Sequence, residues 1–147
     1  MAKGSVYMEY CRFEDRVVLR IQKNEEILES IKEVCDREHI TLADVSGIGA
    51  VDDVILGVFN SEKFKYESQH FTGDMEIASC TGNVTQMNGE TYLHLHMVVG
   101  NITKGITYAG HLNQAKISLT GEFTLHVING QVGRKYSPEV GLNLLKF

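Results

Sequence analysis

The stretch YLHLHMVVG, residues 92–100, decides how the rest of the chain is read. Leu93, Leu95, Met97 and Val99 recur every second residue, the period of a strand with one buried face, and His94 and His96 fall together on the other face. Two residues of strand rise separate the two histidine Cβ atoms by roughly 6.5–7 Å. Two inward-leaning imidazoles close such a gap around one ion at bonds of about 2.0–2.1 Å. On the pair alone two readings stand: a metal-binding pair, or a half-exposed strand whose outer face carries two polar aromatics. A third ligand would decide between them.

A strand of this kind needs partners, and the flanking sequence supplies them. From Thr41 onward the chain is a series of short β-forming runs separated by Gly or Asn: ADVSGIGAV, DDVILGVF, KFKYESQHF, MEIASCTGNV, TYLHLHMVVG, AKISLTG and EFTLHVI. Ahead of them YMEYCRF and VVLRI, joined by Glu14-Asp15, read as two short strands or one bent strand. One helix is evident between these groups. Asn24 is placed to cap it, Glu25 and Glu26 suit its positive N-terminal end, and Ile27, Leu28, Ile31, Val34 and Cys35 form one apolar stripe, with His39 at the far end. The pattern predicts an α+β fold, a curved or barrel-like, mainly antiparallel sheet with one main helix packed across it. Its exposed strand edges invite pairing between subunits.

Residues 1–147 read as a single domain. The chain is 43% hydrophobic, enough to bury a core, and its one proline, Pro138, lies in the tail segment KYSPEV, so no linker or repeat divides it. No apolar run reaches the roughly 18 residues of a membrane span. MAKGSVYMEY has no apolar segment that would serve as a signal peptide, and a cytoplasmic protein is expected. Cys11, Cys35 and Cys80 are odd in number and widely spaced, which suggests neither disulfides nor a thiolate zinc site but reduced core or strand residues.

His111, in TYAGHL fifteen residues after His96, is the candidate third ligand. A connection containing Gly100, Asn101 and Gly105 can fold back and bring it, at the start of the next strand, beside His94 and His96. Three neutral imidazoles leave one coordination position open, as in catalytic or ligand-exchanging zinc sites. His39 at a helix end, His70 in a polar, loop-like stretch and His126 in a terminal strand read as structural. Glu76 and Glu122 are isolated acids in apolar strands. Each is either a surface carboxylate or a partner to a histidine, with general acid/base work as the candidate catalytic role.

Several function classes are excluded or left unsupported. SGIGAV, residues 46–51, lacks the lysine and the strand–loop–helix context of a nucleotide-binding loop, so Gly47 and Gly49 are expected to permit a tight bend or close backbone approach. No serine or cysteine sits in a nucleophile arrangement. The formal net charge is −5, from 14 Lys and Arg against 19 Asp and Glu, with the basic residues scattered. A chain without a basic patch offers little phosphate neutralisation to DNA.

The ordered series VSGIGAVDDVILG, MEIASCTGNV, YLHLH, AGHL and GEFTLHV resembles the plant and prokaryote conserved domain over nearly the whole chain. The resemblance implies a curved, mainly antiparallel α+β fold assembled as a homotrimer. It also implies a divalent transition metal, commonly zinc, held by His94, His96 and His111. The family usually has two glycines before the last histidine, whereas this chain has Ala109-Gly110. In plants the domain accompanies AT-hooks that enter the DNA minor groove, and stand-alone members carry a DNA-binding label by association; this chain contains no such hook. The first reading is therefore a trimeric protein whose three-histidine metal site binds or acts on a small molecule. The alternatives are a DNA-binding regulator and a trimeric assembly module with a structural metal.

Overall fold

The computed structural model describes residues 8–147; Tyr7, the first residue of YMEYCRF, lies outside them. The elements in chain order are β1 (Glu9–Phe13), β2 (Arg16–Gln22), α1 (Ile27–Glu38), β3 (Ala43–Asn60), β4 (Lys65–Met87), β5 (Glu90–Asn101), β6 (Ile106–Val127), β7 (Gly133–Ser137) and β8 (Leu142–Lys146). The first two runs are two strands, turned at Glu14, whose φ is 50°.

One six-stranded sheet runs β1-β2-β6-β3-β4-β5 with every neighbour antiparallel, and β5 pairs back onto β6. The length of β6 makes this closure possible. Its first residues, Ile106–His111, pair with β5, and from His111 onward the strand pairs with β3, and near its end also with β2. β3, β4, β5 and β6 thus close into a ring, with β1 and β2 extending it at one side. This is the expected curved antiparallel sheet with one helix.

The predicted runs fuse into longer strands than their glycines suggested. ADVSGIGAV and DDVILGVF are both β3, with register shifts at Gly47/Gly49 and Val51/Asp53 that bend the strand without ending it. The expected close approach is present there: a Cβ on Gly49 would collide with the Thr120 carbonyl, and one on Gly47 with the Phe123 ring. KFKYESQHF and MEIASCTGNV likewise fuse into β4, so His70 is a strand residue rather than a loop residue.

Inward-facing Val17, Leu19, Ile21, Val51, Leu95, Met97, Ile117, Phe123 and Leu125 meet Ile27, Ile31, Val34 and Cys35 of α1 in one buried core. Burial of each such side chain contributes roughly 1.5–3 kcal/mol. Cys35 and Cys80 are buried free thiols pushed up to about 12 by desolvation, and Cys11 is a free thiol on β1.

One local expectation is corrected. The cap of α1 is Glu26, not Asn24: Asn24 has φ 73° and gives its N–H to the Ile117 carbonyl, whereas the Glu26 carboxylate accepts from Glu29 N at 2.7 Å and from Ala115 N at 2.9 Å. The longer side chain caps the helix and ties it to β6 at once. In addition the tail around Pro138 forms the β7–β8 hairpin, turned at Gly141 with φ 80°. Among the described residues no helix is long and apolar enough to cross a membrane.

Candidate metal centre

β5 brings His94 and His96 and β6 brings His111. The connection between them is shorter than the sequence spacing suggested. Gly100 and Asn101 belong to β5, and only residues 102–105 turn. The Asn101 Oδ1 holds that turn by accepting from the N–H groups of Thr103 and Lys104 at 3.1 Å and from the Thr103 hydroxyl at 2.7 Å, while Gly105 supplies φ 63°. The tight turn fixes the register at His96 opposite His111, so His111 is the sixth residue of its strand rather than near its start.

Gly110 is required by packing. A Cβ there would lie 2.7 Å from the Gly57 carbonyl oxygen, because β6 presses against β3 where Gly57 faces His111. Ala109, by contrast, is exposed opposite Val98, so the methyl at the position where the family usually has glycine meets open space.

On the outer face the three rings form a triangle with centroid separations of 5.1, 5.2 and 5.7 Å. His94 Nε2 and His96 Nε2 are 3.2 Å apart, and one ligand nitrogen from each of the three histidines lies within 4.8 Å of the others. Two nitrogens bound tetrahedrally at about 2.0–2.1 Å lie about 3.3–3.4 Å apart, so the first pair already stands at ligand spacing. The residues therefore fit a divalent transition metal, and His96, which is exposed, leaves the site open to solvent.

For His94 and His111 the environment favours the neutral form that ligation needs. Burial, then the nearby His111, Arg134 and His96, lower His94 to about 4. Burial and His96 lower His111 as well. Among the described residues no carboxylate shares the cluster.

The site has neighbours that no motif or spacing singles out. Tyr66 of β4 stands edge-on to His111 at 5.9 Å and donates its hydroxyl to Asn113 Oδ1 at 2.6 Å; its ring occupies the space over Gly57. Asn83 faces His94 across β4 and β5. Arg134, from β7, lies over the Tyr92 ring at 4.6 Å and donates to Thr85 Oγ1, Asn143 O and Asn83 Oδ1 at 2.8, 2.9 and 2.8 Å. Because it comes from a hairpin expected to be tail, no spacing rule connects it with the histidines.

The remaining candidates lie elsewhere. Glu76 is exposed opposite Gly100, four residues along β5 from His96, or roughly 13 Å of strand. Glu122 is exposed between Arg20 and Ile48, eleven residues along β6 from His111. His39 caps the C-terminus of α1 at φ 55°, His70 meets Asp53 at 2.9 Å, and His126 meets Asp15 at 3.4 Å.

Residues 8–129 match the Plants and Prokaryotes Conserved (PCC) domain family. None of the curated proteins matches the sequence. Among solved structures, a protein from Bacteroides thetaiotaomicron, proposed to bind DNA, is 32% identical with a TM-score of 0.91, over 95% of this chain and 97% of that one. A metal-containing protein from Archaeoglobus fulgidus is 26% identical with a TM-score of 0.83, over 99% of this chain and 100% of that one. A plant- and prokaryote-conserved protein from Pyrococcus horikoshii is 30% identical with a TM-score of 0.81, over 100% of this chain and 98% of that one.

Proposed function

We propose, for a chain that belongs to the Plants and Prokaryotes Conserved domain family, a homotrimeric protein that binds a small molecule at a divalent metal held by His94, His96 and His111. The observation that carries this reading is the 3.2 Å spacing of two imidazole nitrogens with a third imidazole alongside and, among the described residues, no His, Cys, Asp or Glu as a fourth member of the cluster. The similarity to a metal-containing protein of Archaeoglobus fulgidus supports it. Zinc suits three neutral nitrogen donors with one open position. A metal held this way polarises a ligand oxygen or lowers the pKa of a bound water; the chain's own part is to hold three neutral imidazoles in place and leave the outward side free. The trimer draws support from apolar side chains that a single chain leaves uncovered, among them Leu119 at 69%, Val58 at 63% and Ile48 at 55% exposure. A soluble cytoplasmic location goes with this reading.

Metal content tests it. Untagged protein is expected to carry about one transition metal per chain by elemental analysis and to sediment as three chains. His96→Ala should fold and lose most of the metal, and full occupancy in that variant would overturn the assignment.

A second reading, binding to duplex DNA, is favoured by the similarity to the Bacteroides thetaiotaomicron protein proposed to bind DNA. The net charge of −5 per chain opposes it. A duplex titration at low and physiological salt separates the two: no binding beyond that of an acidic protein is expected, and sub-micromolar affinity with a steep salt slope would put DNA first.

A further inference from the structure

Arg134 belongs to β7, beyond the residues that match the family, yet its side chain reaches the face that carries the histidines. Thr81, Asn83 and Thr85 of β4 stand opposite His96, His94 and Tyr92 of β5, and partners in a register share a face. The guanidinium lies on that face, bound to Asn83, which stands opposite His94, and to Thr85, and stacked over Tyr92.

A guanidinium has five N–H donors. One from Nε and one from each terminal nitrogen are used by Thr85, Asn143 and Asn83, which leaves each terminal nitrogen one further N–H. The charge balance adds to this. Three neutral imidazoles leave the full charge of a bound dication uncompensated, no carboxylate among the described residues shares the cluster, and the arginine beside it is another cation.

We infer that Arg134 is the second anchor of the metal site's ligand, which is a small molecule bearing an oxyanion, a carboxylate or a phosphate, with one oxygen on the metal and another on the free N–H groups of Arg134. This rests on the metal reading above and deepens it by naming the ligand class. The fork geometry of arginine suits a planar or tetrahedral oxyanion, and hydrogen bonds between charged partners are the strong ones.

The test uses the full untagged chain loaded with Co2+, whose visible absorption reports changes at the metal. Acetate and inorganic phosphate are titrated separately. A saturable spectral change with either is expected, acetate alone assigning a carboxylate and phosphate alone a phosphate. Removing Arg134 outright risks the hairpin it anchors, so the variant is Asn83→Asp, which keeps an acceptor for Arg134 but places a carboxylate against the guanidinium. It should bind Co2+ at least as well as the parent and bind the anion about tenfold more weakly or worse. Co2+ uptake with no response to either anion, or with a response unchanged in Asn83→Asp, overturns this inference alone. Failure to take up Co2+ overturns the metal reading and this inference with it.

Discussion

The two faces of β5 put neighbouring residues to different uses. Leu95, Met97 and Val99 are at most 1% exposed and pack in the core, while His94 and His96, which alternate with them, face outward with no apolar role. A residue on the inner face is judged by the volume it fills. One on the outer face is judged by the atom it presents. The strand period separates the two so cleanly that fold and site should be alterable independently, except where the backbone serves both.

The largest effect is expected on the inner face. Leu95→Ala removes a fully buried side chain from the middle of the ring and should cost about 2–5 kcal/mol in urea denaturation. The remaining folded fraction should still take up metal with the parent stoichiometry. Loss of metal from protein shown to be folded would break the separation of the two faces.

Gly110→Ala is the next largest and the exception that sharpens the comparison. Its Cβ would press on the Gly57 carbonyl, which is backbone and yields only if β3 and β6 move apart. A cost of about 1–3 kcal/mol is expected, together with weaker metal binding because His111 is the next residue. Ala109→Gly, one position earlier on the exposed side, should change the metal affinity little; a change as large as that of Gly110→Ala would show that the pressure on β3 is not what matters.

How much was legible follows the same division. Alternation announced β5 and both its faces, the helix stripe announced α1, and the His-x-His pair with a later histidine announced the three-histidine cluster that the fold assembles. Strand ends were harder. Glycines read as breaks proved to be bends inside long strands, because a missing side chain permits close approach as readily as it permits a turn. Asn24 lost the cap to Glu26 because the tie to Ala115 depends on β6, 89 residues away. Arg134 and Tyr66 reach the site through tertiary packing and carry no local signal.

A smaller effect separates the faces by pH. His94 sits at about 4 in the folded chain and His111 is also lowered, against an ordinary value of 6.5. Above 6.5 neither the folded nor the unfolded chain protonates these two side chains, so they add no pH dependence. As pH falls through 6.5 toward 4 the unfolded chain takes up protons that the folded chain resists, so metal-free protein should lose stability there, and the loss should level off near 4 for His94. His94→Gln should flatten the dependence, as seen in melting temperature against pH. Leu95→Ala should lower the curve at every pH without changing its slope in this window.

The smallest effect is expected from the two carboxylates that the sequence nominated. Glu76 shares the register of Gly100 with open solvent around it, and Glu122 lies between Arg20 and Ile48 near the far end of β6. A group that assists a metal ligand must touch it, because the hydrogen bond that orients an imidazole acts over about 3 Å. Roughly 13 Å of strand stands between Glu76 and His96, and Glu122 is farther from His111 in residues. Glu76→Gln and Glu122→Gln should therefore each change stability by no more than about 0.5 kcal/mol and leave metal content as it is. A metal loss in Glu76→Gln comparable to that of His96→Ala would mean that the outer face of β5 works as one extended site reaching to Gly100, and the division between a compact histidine cluster and a solvated strand end would have to be redrawn.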